Sequence, residues 1–310
     1  MPIQIPFAEP EELWAKAAAH SIGKAHRINI DRKIINIRKK VRNAAKQHLQ
    51  LWIVLLDESL QFLIHMESLQ LSKKLSQSSA VFAMLSARMK TLLISFRELI
   101  LIGQEDSARL IARSYLETSE LALVCMEDPE FCLEYAPDET DVDHEVFWRK
   151  RVAYGRIYPL VEKVLRRSGF EQDAIQWLIT SHKSWKKVLS SSVHPSIGSA
   201  FRTLFVPSLT SPGLLAFKDD GHLSIHSPSL CTMMITETFH FAVVFVKLLI
   251  SKNPPQHLQG FDNANKLASA LASAEVLQDL FRKYEDVLHS VDVDKFFPDA
   301  DGTDKSLQEK

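Results

Sequence analysis

The segment Asp106 to Glu120, DSARLIARSYLETSE, sets Arg109, Arg113 and Glu117 at positions i, i+4 and i+8 with Glu120 beside them. At helical spacing these side chains share one face. Such a row is either a solvated ion-pair ladder or a polar row turned inward, since the same segment is otherwise rich in Leu, Ile, Ala and Val. An inward row is costly without a purpose. A second candidate is SSSVHPS, where His194 ends a helical pattern and Pro195 forbids its continuation. An imidazole there is either simply favoured by the dipole at a helix C-terminus or presented as a general acid/base with Ser190, Ser191 and Ser192 as hydrogen-bonding neighbours. A Ser-His nucleophile pair would need a third orienting group, and none stands out.

Glu237 and His240 make a Glu-x-x-His pattern in an apolar segment, half of what a di-iron four-helix site requires; with no second clean copy, no metal is assigned. His222 and His226 are expected at the surface. Gly-rich phosphate loops, a G-x-S-x-G elbow and paired C-x-x-C motifs are absent, and no cofactor is expected. The cysteines Cys125, Cys132 and Cys231 are odd in number and unpatterned, which argues against a disulfide framework or a zinc site and suits a reducing, cytoplasmic compartment.

Charge is distributed unevenly. The formal net charge is -1, yet Lys24 to Lys46 holds nine Lys and Arg against the single acid Asp31, and Glu127 to Glu145 holds nine acids and no Lys or Arg. Arg38, Lys39, Lys40, Arg42 and Lys46 are therefore candidates for tracking the phosphates of a nucleic acid such as RNA. The other reading is a solvated face, or a contact with an acidic protein surface such as Glu127 to Glu145.

The elements that must position these residues are helical. Apolar residues recur at helical spacing from Asp31 to about Gln70, predicting one long helix with a basic first half and an apolar second half. A short helix over Glu11 to Ala19 precedes it. Helices follow over Ser78 to Ile102 and, after a short turn at Gly103, from Asp106 to Met126, so these two form an antiparallel hairpin. Further helices are expected over His144 to Arg167, Phe170 to Ser191, Leu230 to Ser251 and Leu258 to His289. The Pro-rich stretch Pro195 to Ser229 breaks the pattern, and Leu214 to Phe217 with His222 to Ile225 flank Asp219-Asp220-Gly221 as a small β-hairpin. The expected fold class is all-α, a helical bundle with a small β-hairpin insertion. The expected organisation is N-terminal helices over 1–70 including the basic one, a bundle over 71–290, and a disordered tail over 291–310. Cys231 to Ile250 is the most apolar stretch, but Glu237, His240 and Lys247 interrupt it; it is expected to be a core helix, with no membrane span and no secretory signal at the start.

The hairpin ending in ARSYLE and the later Ser-rich S-x-V-H at a helix end resemble a bacterial domain family of unknown function that is loosely related to the HEPN (higher eukaryotes and prokaryotes nucleotide-binding) superfamily. The resemblance covers roughly Ser78 to Ile250. It matches Arg113 and Glu117 to the polar pair of the first motif and His194 to the histidine of the second. It implies a homodimeric helical bundle, with some relatives acting as metal-independent ribonucleases of toxin or phage-defence systems through an Arg-x4-6-His motif. At His194 the residue seven positions earlier is Lys187, not Arg. Literal matches stand elsewhere, at Arg42 with His48 and at Arg282 with His289. Two functions are expected to compete: a binding or regulatory module with RNA or a protein as partner, and a ribonuclease using His194 as acid/base, Arg113 on the phosphate and Glu117 to orient Arg113.

Overall fold

The computed structural model describes residues 30–136, 145–193, 205–209, 211–217 and 223–290, together with Glu12, Ala15, Lys16 and Ala19. The expected Glu11 to Ala19 helix lies mostly outside the described residues. His194, Asp219-Asp220-Gly221 and the tail after Ser290 lie outside them entirely.

The fold is all-α in architecture. Its helices are α1 (Ile30–His48), α2 (Gln50–Gln70), α3 (Gln77–Leu101), α4 (Glu105–Glu127), α5 (Pro129–Tyr135), α6 (Tyr158–Arg167), α7 (Gln172–Val193), α8 (Ser227–Leu249), α9 (Ala264–Lys283) and α10 (Glu285–Ser290). The long helix expected over Asp31 to Gln70 is instead two, meeting at a 96° bend. Leu49, with φ -118 and ψ 20, is the corner. The reason is visible in composition: α1 is polar on most faces and α2 is apolar on most, so a straight rod would either bury lysines or expose α2. The bend drives Leu49 to 0% exposure and lets α2 pack on α3, α8 and α9.

The α3–α4 hairpin forms as the spacing predicts and is the most extensively packed pair. Ser76 caps α3 by accepting from the Ser79 N–H at 3.2 Å. Gly103, at φ 69, closes its other end, with Gln104 N–H donating to Leu99 O at 2.8 Å. Asp106 does not cap α4, which already begins at Glu105. Asp128 caps α5, accepting from Glu130 and Phe131 N–H at 3.0 Å, with Pro129 at the first helical position. The helix expected over His144 to Arg167 is broken: a π-turn at Trp148–Val152 runs into a 3-10 turn at Ala153–Gly155, and only then does α6 start. Tyr154 at φ 58 and Gly155 at φ 80 make that break. The last expected helix divides as well, into a 3-10 turn at Gln256–Leu258, α9 and α10.

The expected hairpin across Asp219-Asp220-Gly221 is not seen. The described strands are Phe205–Ser208 (β1) and Ser211–Phe217 (β2), antiparallel, with Phe205 opposite Phe217. Of the arm predicted over His222 to Ile225, the described residues lie outside β1 and β2: Leu223 O accepts from Leu209 N–H at 2.9 Å, the Ser224 and Ser227 hydroxyls donate to Glu105 at the start of α4, and the segment leads into α8.

One apolar core runs from Val41 to Leu288. Phe62 of α2 meets Phe241 and Phe245 of α8 edge-on, at centroid distances of 6.5 and 5.8 Å. Trp52 Nε1 donates to Thr232 Oγ1 at 2.9 Å on the same interface. By length and composition α3 and α8 could each cross a membrane; in this fold 50% and 78% of their most apolar windows are buried inside the protein.

Phe62→Ala should remove this three-ring contact and destabilise the fold by about 3–5 kcal/mol. The measurement is the urea midpoint, which should fall with an unchanged m-value.

Candidate functional site

The inner face of α4 carries a polar side chain at almost every turn, and several of these meet side chains from other elements. At its start, Glu105 pairs with Arg109 at 2.8 Å, and both are buried. Ser224 and Ser227 hydroxyls donate to the other carboxylate oxygen, the latter at 2.9 Å. Burial alone would raise the Glu105 pKa, but Arg109 and these donors outweigh it and hold it at about 2. Arg109 thus belongs to Glu105, not to a surface ladder with Arg113.

One turn on, Arg113 Nε donates to Glu117 Oε1 at 2.8 Å, and both side chains are 26% exposed. Arg113 Nη1 donates to the backbone oxygen of Lys186 at 2.5 Å and to the Ser190 hydroxyl, both on α7. Arg113 and Glu117 therefore do meet the helix that leads to His194. Ser190 stands four residues before it. His194 itself lies outside the described residues.

Deeper still, His182 of α7 sits between two carboxylates. Its Nδ1 is 3.3 Å from Glu120 Oε1 on α4, and its Nε2 is 2.5 Å from Glu237 Oε2 on α8. The second is a contact of opposite charges rather than an aligned hydrogen bond, since neither atom has a hydrogen-bond partner. Lys186 donates to the second oxygen of Glu120, and Ser119 donates to Glu237. Glu120 and Glu237 are 0% and 1% exposed. Burial disfavours a charge on His182, but Glu237 and Glu120 outweigh it and raise its pKa to about 10. Burial would also raise the Glu237 pKa, and His182 and Ser119 pull it below the ordinary value instead. Tyr158 of α6 covers this site, with the Lys183 and Lys186 ammonium groups 5.0 and 5.3 Å from its ring centre. Next to it a cavity of about 10 Å³ is lined by His182, Glu237 and His240 among apolar residues. Burial, aided by the charge on His182, pushes the His240 pKa down to about 4 despite Glu237 nearby.

A third polar cluster lies at the other end of α4. Cys132 Sγ is 3.8 Å from His257 Nε2, and His257 Nδ1 is 3.1 Å from Ser79 Oγ. Lys73 holds the same turn by donating to the backbone oxygens of His257 and Gln259, each at 2.7 Å. The Cys125 thiol and His257 draw the Cys132 pKa down to about 6. All three cysteines are free and buried. Among the described residues no group of three or more His, Cys, Asp or Glu is arranged to hold a metal; Glu237 belongs to the ion cluster, and His240 lines the cavity beside it.

The basic candidates are at the surface, on α1. Arg38, Lys39, Lys40, Arg42 and Lys46 are all exposed, and Arg42 pairs with Glu98 at 3.0 Å. They stand apart from Arg113 as a separate charged face. The residue that sequence reasoning missed is His182. Its only signal was the spacing His182 to Lys186, an i, i+4 pair on one helix face, and both side chains meet Glu120 of α4.

No family model, no curated protein and no solved structure matches this chain.

The histidine pair sets the pH dependence. His182 binds its proton more tightly folded than unfolded, so its contribution is fully present below pH 6.5 and is lost as pH rises toward 10. His240 does the reverse, costing stability as pH falls from 6.5 toward 4. Stability should therefore peak near pH 6.5, as urea unfolding across pH 4 to 10 would show. His182→Leu should remove the alkaline limb and leave Glu120 and Glu237 underpaired, at a cost of about 3–5 kcal/mol.

Proposed function

We propose that this protein is a HEPN-like binding module that engages RNA through the basic face of α1. The reading further takes it to be a cytoplasmic homodimer, of the kind that serves defence or toxin systems. One observation carries the RNA assignment: Arg38, Lys39, Lys40 and Lys46 are exposed on one helix and have no ion partner among the described residues. Charges that stabilise a fold are paired, as Arg97 is with Asp57 and Lys90 with Glu67. A helical rod carrying four unpaired cations between residues 38 and 46, about 12 Å of axis, gains free energy by displacing counterions from a phosphate backbone. An acidic protein surface is the competing partner.

Arg113, Glu117 and Ser190 favour a second reading, a metal-independent ribonuclease with His194 as general acid/base. Its basis is that Arg113 reaches the last turn before His194. Against it, Arg113 Nε and Nη1 are already committed to Glu117, Ser190 and a backbone oxygen. Arg113 is thus better suited to fixing α4 against α7 than to clamping a phosphate.

Binding of labelled RNA, followed by anisotropy, should weaken about 50-fold between 50 and 200 mM salt, with a log–log slope of about -3 for four contacts to a single strand. Reversing Arg38, Lys39, Lys40 and Lys46 to Glu together should abolish it. RNA intact after long incubation with the protein in a chelator rules out the nuclease reading. Cleavage that disappears in His194→Ala would establish it.

A further inference from the structure

We propose that the groove between α1 and the C-terminal end of α3 takes a single nucleoside monophosphate unit of a single-stranded RNA. This rests on the RNA-binding reading above and adds to it a site, a polarity and a choice of strand. The groove is about 290 Å³ and is lined by Arg38, Lys39 and Arg42 of α1 and by Glu98 and Ile102 at the end of α3.

Its charges do not cancel. Glu98 Oε2 accepts from Arg42 at 3.0 Å and its Oε1 from Arg97 at 2.9 Å, while Arg97 is also held by both oxygens of Asp57, at 2.5 and 3.2 Å. Those two arginines and two acids balance one another. Arg38 and Lys39 are left over, without an ion partner among the described residues, so the groove presents an uncompensated positive charge. The cation is on one flank only. Across from it stand the Glu98 carboxylate, which accepts hydrogen bonds, and the half-buried side chain of Ile102, just past the partly negative C-terminal end of α3.

A groove with cations on one flank and acceptors beside an apolar wall on the other matches a ligand of the same polarity. A nucleotide unit has it: phosphate at one end, sugar hydroxyls and base amino groups at the other. Inorganic phosphate or a uniform polyanion satisfies only the α1 flank. A duplex offers its phosphates outward but keeps its base edges paired and stacked, so it too reaches only that flank. The size agrees, since the groove is at the small end of sites that hold small molecules, room for about one nucleotide.

The test uses the full chain and anisotropy with a short labelled single-stranded RNA, its duplex, and heparin as a polyanion without bases. The single strand should bind about tenfold more tightly than the duplex. Ile102→Ala changes no charge; it should weaken the single strand about fivefold and leave heparin unaffected. Excess AMP should displace the single strand where equal inorganic phosphate does not. A retained cooperative thermal transition in the variant shows that it folds. Equal binding of single strand and duplex, with Ile102→Ala neutral, would overturn the groove while leaving RNA binding by α1 standing. Absence of RNA binding at about 50 mM salt would overturn both.

Discussion

Glu120 and Glu237 are carboxylates placed where water does not reach, on two different helices, and each must find a positive charge or give up its own. His182 reaches both, one through each ring nitrogen, and Lys186 takes the remaining oxygen of Glu120. Two negative charges thus face two positive ones, and the cluster is neutral as a whole. The same contacts lock α4, α7 and α8 in a single rotation about their axes, since only one registration brings all four groups together. Apolar side chains tolerate sliding by a turn; this arrangement does not. Its value to the fold is therefore specificity of packing rather than raw stability, because an apolar cluster of similar volume would hold the helices at least as tightly.

The same device recurs along α4. Glu105 and Arg109 secure the lead-in to α8 through Ser224 and Ser227. Arg113 and Glu117 hold the last turns of α7. Near its end, the Cys125 backbone oxygen accepts from Cys132 at 3.3 Å, and His257 and Ser79 continue that chain toward α3. Segments that lack regular structure, such as the approach to α8 and the turn at Gln256–Leu258, are fixed by these polar contacts where apolar packing is thinnest. The central helix thus carries a row of buried or half-buried polar groups, of which Glu105, Arg113, Ser119 and Glu120 have partners on other elements.

Much of this was legible before any coordinates. The helical spacing of apolar residues located α3, α4, α7 and α8 to within a few residues, and Gly103 marked the hairpin. Arg113 and Glu117 were recognisable as a pair because i, i+4 spacing is a local property. The meeting of α4 with α7 was not local, and only the ribonuclease reading, which groups Arg113 and Glu117 with His194, required it. What escaped were features decided by tertiary context. Nothing in the residues around Leu49 breaks a helix; the bend follows from the contrast between a polar α1 and an apolar α2. The pairing of Leu214 to Phe217 with Phe205 to Ser208 rather than with His222 to Ile225 is likewise a tertiary outcome: Leu223 meets Leu209 and the Ser224 hydroxyl meets Glu105, and neither partner is signalled by the local turn pattern. His182 looked like one polar residue in a lysine-rich segment, since its two carboxylates lie 62 and 55 residues distant.

The molecule uses charge in two ways that respond oppositely to solvent. Inside, His182, Lys186, Glu120 and Glu237 cancel at short range in a buried cluster, so salt leaves them nearly untouched, while the raised pKa of His182 ties the cluster to pH. On α1, Arg38, Lys39, Lys40 and Lys46 are exposed and have no ion partner among the described residues, so dissolved ions reach and screen them. A cluster already neutral has little left with which to attract an external anion. An exposed surface that is not neutral is balanced by dissolved counterions, which a polyanion would displace. The buried cluster, with its shifted His182 and Glu237, therefore acts as framework, and the two sets of charges are expected to answer to different variables: the cluster to pH, the α1 surface to ionic strength.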